Sequence, residues 1–301
     1  MHSKMESENI TALSNEEWKK QAHHHRQRLS PFIDNHLFIR THGQTHPVYD
    51  FLFSYYSFSS GQLLRWSPGI NVNLLLTTHD ELDWKDFYRH NRETCFIDPG
   101  LFPERRIPFL NWALKFLKLS AKRPPVFHCF GLHEWAMLYR SEVKQHPDVP
   151  LRIAQKTLDE LVQDNSLCCS HYDAFRFFTP NAKPLNKSQL LRETVPEHEQ
   201  PGCIHANMDL YKLGYKIAPF ISSDLLAELF IMARQCREID MRASPYDISK
   251  YGFTSIPIET REGREQYVAE QRKLYIEAQN LRANLISTYE ILLEAKTNVY
   301  R

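Results

Sequence analysis

Cys203–Asp247 reads CIHANMDLYKLGYKIAPFISSDLLAELFIMARQCREIDMRASPYD, and the fold is decided by how this stretch is read. It predicts two helices joined by a short turn. In the first, His205, Asp209, Lys212 and Lys216 follow one another at spacings of four, three and four. At about 3.6 residues per turn, those spacings place all of them on one face. Ser222-Ser223-Asp224 is a good N-cap cluster for the second helix. That helix opens apolar almost all round, with Leu225, Leu226, Leu229, Phe230, Ile231, Met232 and Ala233, as buried helices do. A knot of charge follows (Arg234, Arg237, Glu238, Asp240, Arg242), closed by a turn at Ser244-Pro245-Tyr246-Asp247. Charges at the end of a buried helix are either solvated or paired in a pocket.

Upstream of this stretch, residues 126–140 read VFHCFGLHEWAMLYR. His128 lies in an apolar setting and His133-Glu134 opens a helix. Met137 stands four residues after His133, which excludes the HExxH zinc signature. Residues 168–179, CCSHYDAFRFFT, alternate like a strand, so His171 and Asp173 would share a side with Phe175 and Phe177. A His-x-Asp pair supplies two legs of a facial iron triad, with His205 as a candidate third; ordinary structural hydrogen bonding of the pair is the alternative. Residues 46–69, HPVYDFLFSYYSFSSGQLLRWSPG, are rich in aromatic rings. They form either core or a stacking wall for a planar ligand, with Tyr55 in the wall and Trp66 across from it.

The remaining elements follow from caps and periodicity. Ser14-Asn15-Glu16-Glu17 is a capping box whose helix should run to about Leu29 and end at Pro31. His23-His24-His25 point in different directions on it and read as a solvated face. Residues 70–77 suggest a short strand, while 108–119 and 151–162 suggest helices. The polar, proline-bearing segment 180–202 reads as a surface loop. From Thr260 to about Lys296 one long helix carries Tyr267, Leu274, Leu281 and Thr288 seven apart, with Gln271, Ala278, Leu285 and Leu292 between them. That seam either packs along the body or makes a homodimer contact through residues 264–295. The expected architecture is mainly α: an N-terminal helix in 1–30, then a single multi-helix domain over 31–301 with a minor β or extended element near 70–77 and 168–178.

Composition narrows the function classes. With 37 Lys and Arg against 36 Asp and Glu, the chain lacks the basic excess that phosphate-driven DNA binding normally shows, so charge does not favour DNA as a partner. No CxxC pair or zinc-ribbon spacing occurs among the 6 cysteines. No GxGxxG or GxxxxGK[ST] phosphate cradle is present. The polar start MHSKMESENITALS and the lack of a membrane-length apolar run predict a cytoplasmic protein with reduced thiols and no membrane partner.

HPVYDFLFSYYS with RWSPG, FHCFGLHEWAMLYR with SHYDAFRFFTP, and HANMDLYKLGYKIAP with REIDMRASPYD and IPIETREGREQY together resemble actinobacterial and cyanobacterial proteins identified as 3-methyladenine DNA glycosylases. The resemblance spans about residues 20–290. It implies a DNA-repair-type hydrolase that cleaves the N-glycosidic bond of a damaged purine without a cofactor. It carries over no assigned catalytic residue.

Purine glycosidic cleavage needs a carboxylate, a base-stacking pocket and a proton donor to the leaving base. Asp209 or Asp240 supplies the carboxylate, and His205 or Lys212 the donor. Arg237 and Arg242 would hold a phosphate bidentately, and Tyr55, Trp66, His171, Arg176 and Tyr246 complete the substrate site. The near-neutral charge points to a nucleotide rather than duplex DNA. A second reading is a helical metalloenzyme holding iron or manganese through members of His133, Glu134, His171, Asp173, His205 and Asp209. A third is a non-catalytic binding protein in which the charges are buried ion pairs, Glu238 with Arg234 or Arg242 first among them.

Overall fold

The computed structural model describes residues 11–77, 80–91, 93–143 and 145–298; the first ten residues of the polar N-terminal stretch lie outside these. The protein is mainly α. Helix α1 spans Asn15–Thr41, α2 Asp50–Ser54, α3 Ser60–Leu63, α4 Ile107–Lys122, α5 Leu132–Ala136 and α6 Gln155–Asp164. Then come α7 Tyr172–Phe175, α8 Val195–His198, α9 Ile204–Tyr215, α10 Ser223–Ala243 and α11 Arg261–Asn298. Strands β1 Thr11–Leu13, β2 Val72–Leu75, β3 Tyr88–Asn91 and β4 Thr94–Ile97 form one small sheet in the order β1-β2-β4-β3. β1 pairs parallel with β2, and the other pairings are antiparallel.

The α9–α10 pair is the centre of the molecule. α9 is buried on nearly every side except the stripe carrying His205, Asp209, Lys212 and Lys216, which is half-buried. α10 is capped by Ser222, whose Oγ accepts from the Leu225 N–H at 3.3 Å. Its helical ladder runs through the charge knot to Ala243, so Arg237 and Asp240 lie within a helix rather than in a turn. The charges are tolerated there because they are paired, as described below.

α11 lies along α9, α10 and α4. Its buried stripe is Tyr267, Gln271, Leu274, Ala278, Leu281, Leu285, Tyr289 and Leu292, so the expected seam is spent within the chain. Tyr289 replaces Thr288 because a straight helix drifts against a strict seven-residue repeat. Gln271 and Arg282 are buried and bonded, Gln271 Nε2 donating to Gly202 O at 2.8 Å and Arg282 Nη2 to Asn207 Oδ1 at 2.6 Å.

Several sequence expectations are corrected. α1 does not stop at Pro31 but continues to Thr41. Pro31 has no N–H for the carbonyl of Gln27, and the Ser30 hydroxyl donates to that carbonyl instead at 3.5 Å. Burial of Leu29, Ile33 and His36 along one stripe offsets the remaining cost. His25 is not solvated: its Nε2 donates to Leu63 O at 2.9 Å, while His23 and His24 are exposed. Residues 168–178 do not form a strand. Phe175 N–H bonds His171 O and Arg176 N–H bonds Tyr172 O, which curls the segment into α7. The β3–β4 hairpin is an element that the sequence reading missed. Among the described residues, no helix is long and apolar enough to cross a membrane.

Gly263 marks the tightest contact of α11. A Cβ at this position would lie 2.0 Å from Pro257 O and 2.4 Å from Pro257 C. A backbone obstacle cannot rotate away as a side chain can. Gly263→Ala is expected to cost about 1–3 kcal/mol, read as a fall in Tm by calorimetry. An unchanged Tm would show that the Pro257 segment gives way freely.

Candidate functional site

α2, α5, α7, α9 and α10 converge on a cavity of about 230 Å³. Phe51, Tyr55, Tyr56, Met137, Phe177 and Met208 make its apolar wall. His171, Asp173, His205 and Asp209 supply polar groups, and Glu134, His146 and Arg237 close its inner end. The Phe51 and Tyr55 rings stack at 4.8 Å and 10°, giving the wall a flat aromatic surface.

The inner cluster is built on Asp240, which is fully buried. Its Oδ1 accepts from His133 Nε2 at 2.6 Å and its Oδ2 from Arg237 Nη1 at 2.6 Å. The same guanidinium donates to Glu134 Oε1 at 3.0 Å. Thus Glu134, Arg237, Asp240 and His133 form a chain of alternating charge. Burial alone would raise the Asp240 pKa, but the charges of His133 and Arg237 hold it well below the usual carboxylate range. Burial opposes charge on His133, yet Asp240 prevails and keeps that imidazole protonated well above its ordinary range. His205 Nε2 stands 3.7 Å from Asp240 Oδ2. Burial first, and then the neighbouring His133 charge, hold His205 neutral. Its ring packs edge-on to His133 at 4.4 Å and stacks on His171 at 5.3 Å.

The outer cluster surrounds Asp209. Its Oδ1 accepts from Tyr56 OH at 3.2 Å and its Oδ2 from Lys212 Nζ at 3.1 Å. Lys212 also donates to Asp173 at 3.0 Å, and Tyr55 OH donates to Asp173 at 2.9 Å. Burial opposes ionisation of Asp173, but Lys212 draws its pKa down to about 2. His171 Nδ1 donates to Glu199 Oε2 at 2.9 Å, and its Nε2 faces Asp209 Oδ2 at 4.0 Å. Glu199 and Asp209 outweigh burial and raise the His171 pKa.

Most residues expected from the sequence therefore meet here, though in different roles. His205, Asp209, Lys212, His171, Asp173 and Tyr55 share the outer part of the site, and His133 and Asp240 lie behind His205. Glu134 is engaged by Arg237. Arg237 is spent on Glu134 and Asp240, so it offers no free fork to a phosphate. Arg242 is not in the site. Five residues beyond Arg237 it is turned about 140° around the helix, and it makes a bidentate pair with Glu270 at 2.6 and 3.1 Å.

Trp66 is also elsewhere, stacked on Trp18 at 6.0 Å; Ser67 N–H bonds Ser223 Oγ at 2.8 Å and ties this loop to the start of α10. Tyr246 is fully buried and does not line the cavity. Its hydroxyl accepts from the N–H groups of Gln145 and His146 at 3.1 and 3.2 Å, which positions that part of the wall. Arg176 reaches Asp173 through Nε at 3.1 Å. Glu238 pairs with Arg234 at 2.8 Å and accepts from Tyr49 OH at 2.6 Å, outside the cavity. Glu199, in the expected surface loop, was missed; nothing local marks it, since only the packing of that loop under His171 buries it. Compared with protein-family models, curated proteins and solved structures, the chain matches none.

His146 provides a test of the inner wall. Its Nε2 accepts from Arg237 Nη2 at 3.3 Å, and burial followed by Arg237 pushes its pKa down to about 4. An unfolded histidine takes its proton near pH ~6.5. The native state therefore gains stability from neutral His146 that is full above that pH and is lost as pH falls toward about 4. His146→Gln should shrink the acid-induced loss of stability over that window by about 1–3 kcal/mol, measured by urea unfolding at a series of pH values. Identical pH slopes for the two proteins would refute this.

Proposed function

We propose that the chain is a metal-dependent enzyme in which His133, His205 and Asp240 hold a divalent first-row transition ion, iron(II) or manganese(II), at the inner side of the aromatic cavity. One observation carries this reading. Donor atoms of two imidazoles and one carboxylate, borne on α5, α9 and α10, all lie within 4.8 Å of one another. A two-histidine, one-carboxylate set leaves coordination positions open for water and substrate. The surrounding contacts suit it, because metal ligands are normally held by hydrogen bonds on their outer atoms. Arg237 holds Asp240 Oδ2, and Cys129 Sγ lies 3.6 Å from His133 Nδ1. A cation would take the place of the proton between His133 Nε2 and Asp240 Oδ1. The ion would acidify a bound water or polarise a substrate oxygen, and the cavity would orient a planar substrate beside it.

His171, Asp173 and Asp209 also cluster within 4.8 Å, but the Lys212 ammonium already lies against both carboxylates. They are assigned to substrate handling. Protein purified without a His tag or added metal should carry close to one equivalent of iron or manganese by elemental analysis. His205→Ala should lose the ion while keeping its fold, since His205 makes no close hydrogen bond with Asp240. Metal-free protein whose Tm does not rise on adding iron(II), manganese(II) or zinc would remove the proposal.

A second reading is metal-free cleavage of a purine N-glycosidic bond, as the resemblance implies. The His171–Glu199 pair favours it, since it aims a protonated Nε2 toward Asp209 at 4.0 Å. His171 would protonate the leaving base and Asp209 would support the electron-poor sugar carbon or its attacking water. Base release from alkylated DNA, purine nucleosides or nucleotides should then survive chelators and fall about a hundredfold or more in Asp209→Asn. No released base from any of these substrates would sink it.

A further inference from the structure

A second hollow of about 580 Å³ adjoins the aromatic cavity; His171, Asp173 and Asp209 line both spaces. The outer hollow has a different character. Phe109, Trp112 and Phe116 of α4 form one side, with Trp112 45% exposed and stacked on Phe116 at 5.2 Å and 5°. Arg176, Arg192, Lys212 and Lys216 also line it, against the carboxylates of Asp173, Glu199 and Asp209.

Those charges are unevenly matched. Lys212 is spent on Asp173 and Asp209, and Glu199 on His171. Arg176 reaches Asp173 through Nε. Among the described residues no carboxylate lies within ion-pair distance of Lys216 or Arg192. Lys216 is half-buried, with its ammonium 5.1 Å over the Phe109 ring. Burial, Lys212 and Arg106 together lower its pKa, as expected of an ammonium placed among cations without a partner of its own. An ammonium held this way is stabilised by a bound anion.

We propose that Lys216, Arg192 and the Arg176 guanidinium bind the phosphate of a planar-ring phosphomonoester, a nucleoside monophosphate in class, whose ring enters the aromatic cavity. The link between ring and phosphate then passes His171, Asp173 and Asp209, where carboxylate oxygens accept from sugar hydroxyls. The phosphate site thus falls on α4, α7 and α9 rather than on Arg237 and Arg242, which are already paired. This assignment rests on the aromatic cavity being the substrate site, but it does not depend on the metal.

The test is calorimetric titration of the full chain with the adenosine, guanosine, cytidine and uridine 5′-monophosphates, the matching nucleosides, and inorganic phosphate. At least one monophosphate should bind tenfold or more tightly than its nucleoside and than inorganic phosphate. Lys216→Met with Arg192→Met should abolish that gap while leaving nucleoside affinity and Tm unchanged, and Lys216→Arg should keep it. Equal affinity of monophosphate and nucleoside, survival of the gap in the double variant, or no binding of any nucleotide at millimolar concentration overturns the proposal. Inorganic phosphate binding as tightly as the nucleotides overturns the spanning substrate. Protein that shows the gap but whose Tm does not rise on adding iron(II), manganese(II) or zinc would remove the metal reading alone. Metal-loaded protein without the gap would remove only the phosphate site.

Discussion

Asp240 is the constraint on which the site depends. A buried carboxylate costs several kcal/mol in desolvation even after its surroundings relax, so it persists as an ion only where cations and donors take up its oxygens. His133 and Arg237 do this from α5 and α10, with His205 of α9 standing beside them. Without Glu134, two cations would share the one Asp240 carboxylate and Arg237 would be left short of negative charge. The short α5 is therefore pinned to α10 by charge at both His133 and Glu134, and Trp135 adds an indole N–H bond to Ala243 O at 2.9 Å. The inner end of the cavity is a fixed wall because each member of this chain needs the next.

Two polar layers result, with different freedom to react. In the inner layer each charge is paired with an opposite one, so a new cation enters only by replacing a proton. The outer layer is open to the cavity. There the neutral His205, the His171–Glu199 pair and the Asp209 carboxylate meet flat aromatic rings. That division separates a braced charged centre from an exposed polar surface, and His205 and Asp209, one turn apart on the same α9 stripe, lie where the two meet.

Much of this was legible in the sequence. The 4-3-4 spacing of His205, Asp209, Lys212 and Lys216 marked the open face of α9, and Ser222 marked the start of α10, because caps and helical periodicity are local properties. What escaped was set by distant packing. Pro31 stays within α1 because the neighbouring Ser30 hydroxyl and a buried stripe compensate for it. Residues 168–178 alternate like a strand, but among the described residues no strand pairs with them, and local turns satisfy their backbone instead. Arg237 and Arg242 look interchangeable in sequence; their rotation around α10 makes one a buried brace and the other a clasp to α11. Glu199 carries no local signal, since its role depends on a loop folding beneath His171.

α11 also has a consequence for how the protein is made. Its polar anchors reach back along the chain from Gln271 to Gly202, from Arg282 to Asn207 and from Tyr289 to Leu213, spans of 69, 75 and 76 residues. On the ribosome, α9 and α10 emerge well before the helix that covers them. The nascent chain thus exposes the apolar back of α9, with the Asn207 side chain and the Leu213 carbonyl unanswered, until α11 has been synthesised and laid in place. Assembly of the cavity is in this sense a late event of translation, and the uncovered α9–α10 pair is the intermediate that chaperones would meet.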